Sequence, residues 1–391
     1  MNLVDAKIAL VHDWFLKNSI GGAEKVTLVI DEFLSKKYSV PDLFSLTENI
    51  CKKNKILFGD RKINTSFIQN LPFGRDKVQK YLPIIPFAIE QMDLRSYDII
   101  ISSSHIAAKG VLTSPDQLHI SYIHTPMRYA WDQMETYITS SSLKKYGFEL
   151  PLRYLLFKLR EWDFISGQRP DYLIANSTFT SRRIKKYWGL NSEVIHPPVN
   201  IKRFKFDLER KNFYLSVCRL VPNKRVDLIV EAFNKLGLPL VVVGEGPEKT
   251  KLKKLANPNI HFYGNDSNSK VEKLMGTCRA FIYAGIEDFG IAPVEAMASG
   301  APVIGLAKGG LLDTVNCLTD FPKNKIYTGL LFKEQNSCNI KDTVNWFEEK
   351  KVWKKFNPEI QNKFAKKFSH DNFKLKFDKF INKSWNDFQK N

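Results

Sequence analysis

Two glutamates, Glu287 and Glu295, stand in the stretch EDFGIAPVEAMASG (287–300), between the apolar runs AFIYAG (280–285) and APVIG (301–305). Pro293 suits the first turn of a helix and Gly300 suits its exit. The pattern predicts a helix from about Ala292 to Ser299, with Glu295 in its first turn and Glu287 in the loop before it. Helix N-termini and loops at the carboxyl ends of parallel strands bind phosphate through backbone N–H groups, which carboxylates would oppose. The pair therefore reads as acceptors for sugar or ribose hydroxyls beside a phosphate. Taken alone, Glu295 is equally a residue that favours the helix dipole.

Three further constellations carry charge or close backbone approach. In CRLVPNKR (218–225), Arg219 ends an apolar run and Lys224 follows in the loop. An arginine fork and a lysine point charge suit a diphosphate; a solvated basic loop is the plain alternative. In SYIHTPMRYAWD (121–132), His124 closes an apolar run that Thr125–Pro126 breaks, with Arg128, Tyr129 and Trp131 just beyond. A lone histidine there is ordinarily structural, but this company suits a sugar or phosphate site. In GGAEKV (21–26), Gly21 and Gly22 open a helix and permit close ligand approach, or merely a turn. GEG (244–246) lacks the third glycine of a dinucleotide fingerprint and is thin support for a dehydrogenase. No D-x-D occurs, so two cations rather than a metal would support a departing phosphate.

The elements that must position these residues alternate along the chain. KIALVHDW (7–14), YDIIIS (97–102), HISYIH (119–124), DYLIANS (171–177) and EVIHPPV (193–199) read as strands buried on both faces. After Pro197–Pro198 comes the charged stretch NIKRFKFDLERKN (200–212), a linker pattern. A second series follows: strands at 213–219, 238–244, 260–264 and 280–285, with helices at 226–237, 247–256 and 269–278 between them. Phe373, Phe377, Phe380, Ile381, Trp385 and Phe388 form an apolar stripe at helical spacing. The expectation is α/β, with two doubly wound domains in tandem.

The totals bound the function. At 391 residues two domains are expected. The net charge of +18 favours anionic partners: nucleic acid, an anionic membrane face, or phosphorylated small molecules. Nucleic acid is disfavoured, because the basic residues are spread along the chain without a recognised motif. Five scattered cysteines, with no C-x-x-C, suit a reducing compartment and argue against a zinc site. No secretory leader and no apolar run of membrane-spanning length is evident, so a cytoplasmic protein is expected. KKYGFELPLRYLLFKLREW (144–162) mixes cations with Leu, Phe and Tyr, as interfacial helices do.

Taken together and in order, GGAEK, HTPMRYAWD, the Arg219/Lys224 pair and the Glu287/Glu295 pair resemble retaining glycosyltransferases of family 4 over essentially the whole chain. HTPMRYAWD, IANSTFTSRRI (174–184) and HPPVN (196–200) look like a bacterial mannosyltransferase branch of surface polysaccharide assembly. The resemblance implies a GT-B fold: two Rossmann-like domains facing across a cleft, and a C-terminal helix returning to the first. The implied domains are 1–205 plus the helix 371–391, binding the acceptor, and 206–370, binding the nucleotide-sugar donor.

It further implies that Arg219 and Lys224 hold the donor diphosphate and Glu295 the ribose. Glu287 would hold the transferred sugar, with the backbone of Phe289, Gly290 and Ile291 beside it. His124 would lie near the anomeric carbon, and Gly21 and Gly22 would approach the diphosphate. Two positions depart from the family pattern, Asp288 after the first glutamate and Asn200 after HPPV. The implied reaction is metal-free, retaining transfer of a hexose, best read as α-mannose from GDP-mannose. Its acceptor would be a lipid-linked saccharide or oligosaccharide of an O-antigen or capsule, at the cytoplasmic face of an anionic inner membrane. A UDP-hexose or deoxyhexose nucleotide is the alternative donor.

Overall fold

The structure is a computed structural model that describes residues 3–16, 21–51, 58–141, 147–207, 209–264, 268–319 and 326–390. The chain divides into two compact units, residues 1–196 with 373–391, and residues 197–372.

The first unit is built on seven parallel strands: β1 (Ile8–His12), β2 (Asp42–Ser45), β3 (Ile63–Thr65), β4 (Ile99–Ser104), β5 (Leu118–Ile123), β6 (Tyr172–Ala175) and β7 (Glu193–Val194). Their order is β3-β2-β1-β4-β5-β6-β7. The central strands β1, β4 and β5 are buried along their whole length, as expected for parallel strands covered on both faces. The helices of this unit are α1 (Gly22–Lys37), α2 (Ile85–Glu90), α3 (Met134–Ser140), α4 (Glu149–Gly167) and α5 (Thr178–Trp188).

The second unit has six parallel strands, β8 (Tyr214–Val217), β9 (Leu240–Val243), β10 (Ile260–Tyr263), β11 (Ala280–Tyr283), β12 (Val303–Leu306) and β13 (Gly329–Phe332). Their order is β10-β9-β8-β11-β12-β13. Its helices are α6 (Val226–Leu236), α7 (Lys249–Leu255), α8 (Asn268–Thr277), α9 (Ile291–Ala298), α10 (Leu311–Thr314), α11 (Ser337–Glu349) and α12 (Pro358–Ala365). Gly237 stops α6 in a left-handed conformation, as its place after Leu236 predicts.

The last helix, α13 (His370–Phe388), belongs to the first unit. Phe373, Phe377, Phe380, Ile381 and Trp385 enter the same core as Leu10, Val29, Ile30, Leu34 and Ile120. Phe377 meets Phe33 edge-on, and Phe373 meets Tyr122. The stripe that needed covering is thus covered by α1 and the sheet.

The break between units falls at 196/197, earlier than the 205/206 placement expected from the charged stretch. Residues 199–207 are tied into the second unit by backbone pairing. Val199 N–H donates to Phe368 O at 2.8 Å, and Asp207 N–H donates to Gly276 O at 3.2 Å. Arg203 reaches Glu272 at 3.2 Å. The return comes after Asn372, close to the expected 371.

Candidate active site

Each sheet reverses its strand order once, between β1 and β4 in the first unit and between β8 and β11 in the second. In open α/β sheets the crevice outside the carboxyl ends of the strands at such a reversal is where ligands bind. The sequence-marked residues gather at these two mouths.

In the second unit, β8 runs out at Val217 and delivers Arg219 two residues later, exposed. Among the described residues no acid pairs with its guanidinium. A 3-10 turn, Pro222–Lys224, follows, and Arg225 in a left-handed conformation turns the chain into α6. Across the reversal β11 ends at Tyr283 and leads to Glu287. Lys224 Nζ donates to Glu287 Oε1, and the Tyr283 hydroxyl donates to the same oxygen. The side chains of Lys224 and Glu287 keep only 19% and 15% of their surface exposed. The two residues that the sequence assigned to separate tasks, phosphate and sugar, are therefore held against each other. A ligand placing a phosphate on Lys224 and a hydroxyl on Glu287 replaces one strong internal contact by two external ones.

The loop that carries Arg219 rests on GEG. A Cβ on Gly244 would stand 1.9 Å from the Cys218 carbonyl oxygen, and one on Gly246 would stand 2.2 Å from that of Leu220. Leu220 N–H donates to Glu245 O at 2.8 Å, and Glu248 N–H donates to Leu220 O at 3.1 Å. The glycines let backbone pack under backbone, which accounts for GEG without a dinucleotide. Burial pushes the thiol of neighbouring Cys218 up to about 12, against the pull of Lys224, so it stays protonated.

Phe289 is buried, and Gly290 (φ +96°) caps α9 at its first residue, Ile291. Glu295 is the fifth residue of that helix, in the second turn rather than the first, because α9 opens one residue earlier than Pro293 suggested. Its Oε1 lies 3.9 Å from Arg203, which also reaches Glu272. Arg203 went unnoticed in the sequence because it sits within the charged stretch that reads as a linker. The Gly309–Gly310 pair, in the loop after β12, was also missed. A Cβ on Gly309 would meet the Glu287 carbonyl oxygen at 2.3 Å, one on Gly310 would meet Phe289 Cα at 2.3 Å, and Gly310 N–H donates to Glu287 O at 2.8 Å. This pair braces the Glu287 loop from behind.

In the first unit, His124 follows the last residue of β5, at a strand mouth as its sequence predicts. It is buried, and its backbone is fixed by Ser104 O at 2.8 Å and by Asn176 Nδ2, which donates to His124 O at 2.8 Å. Burial holds its imidazole well below the ordinary histidine range, with His12 and His105 adding to the effect. The ring is neutral, its Nε2 lying 2.8 Å from Ser103 Oγ. Ser103 Oγ is in turn 2.8 Å from Thr27 Oγ1 of α1, and Thr27 Oγ1 is 3.1 Å from His12 Nδ1. Neutral His124 offers a hydrogen bond at this mouth, not a charge. Gly21 is the N-cap of α1 with an extended backbone (φ −74°, ψ −169°), and Gly22 is its first helical residue.

Sequence reasoning passed over Asp13 and His105. Asp13, just past β1, is wholly buried and accepts four backbone N–H bonds, from His105 (2.6 Å), Ile106 (3.1 Å), Ala107 (2.5 Å) and Ala108 (2.7 Å). His105 Nδ1 lies 2.7 Å from Asp13 Oδ2. The loop beyond His105 is anchored by Lys109, which donates to Ile106 O at 2.9 Å and to Asp163 at 2.8 Å. Lys109 lies 5.1 Å from the ring centres of both Trp162 and Trp188, and Asp163 also accepts from the indole N–H groups of Trp131 and Trp188. Among the described residues no group of His, Cys, Asp and Glu is arranged to hold a metal ion.

Two parallel-sheet units with these mouths define a GT-B architecture, and comparison with known proteins agrees. Residues 20–203 match the family Glycosyltransferase Family 4, and residues 199–368 match Glycosyl transferases group 1. The chain superposes on HepE of Anabaena, solved in complex with UDP and glucose, with a TM-score of 0.66 and 16% identity, covering 96% of this chain and 99% of that one. It is 25% identical over 389 residues to alpha-1,3/1,6-mannosyltransferase ALG2 of Saccharomyces cerevisiae, covering 83% of this chain and 74% of that protein. It is 30% identical over 210 residues to the GDP-mannose-dependent alpha-(1-6)-phosphatidylinositol monomannoside mannosyltransferase of Mycobacterium tuberculosis, covering 46% of this chain. That alignment spans 52%, about half, of the mycobacterial protein's length. Each half of the chain thus matches a glycosyltransferase model, and with the mannosyltransferase relatives this supports a hexosyltransferase.

Proposed function

We propose that the enzyme transfers α-mannose from GDP-mannose, with retention of configuration and without a metal, to a lipid-linked saccharide acceptor of a bacterial surface polysaccharide. The observation that carries the reading is the Lys224–Glu287 pair at the β8/β11 mouth, beside exposed Arg219. The mannosyltransferase names of its relatives support the choice of hexose.

In this reading Arg219 and Lys224 bind the diphosphate. Glu287 accepts from hydroxyls of the sugar beside the amides of Phe289–Ile291, and Glu295 accepts from the ribose. The acceptor oxygen bonds to the anomeric carbon on the face from which the diphosphate departs. The C–O bond to phosphate breaks, and the hydroxyl proton passes to the departing phosphate oxygen. The two cations stabilise the charge developing there.

A membrane-bound acceptor suits α4. Leu150, Tyr154, Phe157, Phe164 and Ile165 are exposed on it, with Phe148 just before. Lys144, Lys145 and Tyr146 of the expected interfacial segment lie outside the described residues. Within Glu149–Gly167, Arg153, Lys158 and Arg160 are balanced by Glu149, Glu161 and Asp163, so apolar contact rather than charge would seat this helix. Among the described residues no helix is long and apolar enough to cross a membrane.

Thermal-shift measurements with GDP, UDP and dTDP test the donor. GDP is expected to stabilise the protein most; stabilisation by UDP alone would transfer the reading to a UDP-hexose, the sugar-nucleotide class named for the HepE complex.

A further inference from the structure

The β1/β4 mouth of the first unit has the same topological standing as the donor mouth and carries a pair of its own. Asp13 leaves β1 and His105 leaves β4, on either side of the strand reversal. Four backbone N–H groups already satisfy the Asp13 carboxylate and hold the 105–108 turn. The His105 ring adds a charge contact that the turn does not need, its Nδ1 lying 2.7 Å from Asp13 Oδ2. What this contact does is orient the imidazole: Nδ1 is fixed on Asp13, while Nε2 has no partner among the described residues. The side chain keeps 23% of its surface exposed. His12 of β1 and Trp14 just beyond it hold the ring, at centroid distances of 5.8 and 4.8 Å.

We propose that this mouth is a second anion site, at which the Nε2–H of His105 binds a phosphate oxygen of the acceptor, with Asp13 as the positioning residue. The inference rests on the reading of the chain as a transferase with a phosphate-linked acceptor. The charged groups facing His105 are Asp13 from β1, Glu24 from the first turn of α1 and Arg128 from the loop after β5; His12 is neutral through burial. Burial opposes charge on His105, but Asp13 outweighs it, through both its field and its hydrogen bond. The ring therefore stays cationic above the ordinary histidine range. Arg128 adds a second cation, and Glu24 disfavours an anion placed over the α1 side. An occupant is accordingly steered toward β5.

The shared chemistry is a phosphate ester, which could come from the acceptor or from the donor's diphosphate. The test compares wild type with H105Q, which keeps a donor but cannot be charged, and with H105A. Turnover of one mannose donor is measured with two acceptors, a saccharide on a lipid diphosphate and the same saccharide on an uncharged alkyl chain. GDP affinity is measured in parallel. H105Q is expected to raise KM for the phosphorylated acceptor by roughly 10- to 100-fold. It should leave the uncharged acceptor and GDP within about twofold, and it should flatten the rise in KM that wild type shows once pH passes beyond the ordinary histidine range. Equal losses with both acceptors, or no loss, would overturn the proposal. A selective loss of GDP affinity would overturn it too, by assigning the anion to the donor. Circular dichroism of both variants separates either outcome from misfolding. If wild type turns over no mannose donor, the functional reading fails first, and GDP and inorganic diphosphate competition at His105, read by NMR of its ring protons, still decides the anion site.

Discussion

Both units bridge their strand reversal with a carboxylate and a cation, but the two pairs are built differently. In the second unit Lys224 and Glu287 sit on loops that follow β8 and β11, and a tyrosine hydroxyl is the third partner. Each of these groups is a side chain that can turn outward, so the pair can be opened by a ligand. In the first unit Asp13 is locked by four main-chain donors, and only the imidazole faces outward. One mouth holds an ion pair made wholly of side chains. The other is a fixed socket whose single adjustable property is the proton on His105. A donor whose diphosphate must leave at every turnover suits the first arrangement. An acceptor held while its hydroxyl attacks suits the second.

The contrast can be broken at several depths. The largest effect is expected at Lys109→Met, which leaves buried Asp163 without its cation beneath the fixed mouth. The first unit should lose about 3–5 kcal/mol, read from hydrogen exchange of the β4 and β5 amides in urea. A loss below about 1 kcal/mol would mean that the Trp131 and Trp188 indoles suffice for Asp163, and that the socket is less rigid than described.

Next, Lys224→Ala should lower kcat/KM by about 100- to 1,000-fold, with unchanged circular dichroism, because a preorganised cation is lost where phosphate charge develops. Turnover near the wild-type rate would show that opening the ion pair has no part in catalysis. The smallest effect is expected at Asp13→Asn. The Asp13 carboxyl is buried, which raises its pKa, yet His105 and the backbone donors hold it far below the usual carboxylate range. The stability it contributes is therefore present above about pH 4 and lost as pH falls below the unfolded-state value. Asp13→Asn should cost about 1–3 kcal/mol at pH 7 and make the fall in stability between pH 5 and 2 shallower. An unchanged acid profile would show that Asp13 is not the anchor.

What was legible in the sequence follows the physics of each region. The central strands are apolar on both faces and stood out as runs, and α6 was marked by its period and by Gly237. Strands β2 and β3 did not stand out: they are four and three residues long and embedded in mixed sequence. Lys224 and Glu287 were both singled out, yet their direct contact was invisible, since 63 residues separate them and only the strand order joins their loops. Asp13 and His105 escaped for another reason. Ser102–Ser103–Ser104 looks like a loop signal, but it is the end of β4, buried because its hydroxyls bond His119, Ser121 and His124. A polar run satisfied internally carries no hydrophobic period, so a reading by pattern ends the β4 run at Ser102, three residues before His105.

The placement of α13 has a consequence for how the molecule is made. The first unit's core is completed by Phe373, Phe377, Phe380, Ile381 and Trp385, some 180 residues after β7 in the chain. During synthesis the whole second unit emerges while the first still lacks a wall of its interior, leaving Val29, Phe33 and Ile120 incompletely covered. Domains generally fold as units as the chain grows, the N-terminal one first. Here that order is inverted at the last step: the inserted unit can finish first, and the outer one closes only when the final helix leaves the ribosome. A polypeptide cut short between residue 196 and α13 would therefore carry a sticky, half-roofed sheet, a natural mark for chaperones and proteases rather than an enzyme with one domain in working order.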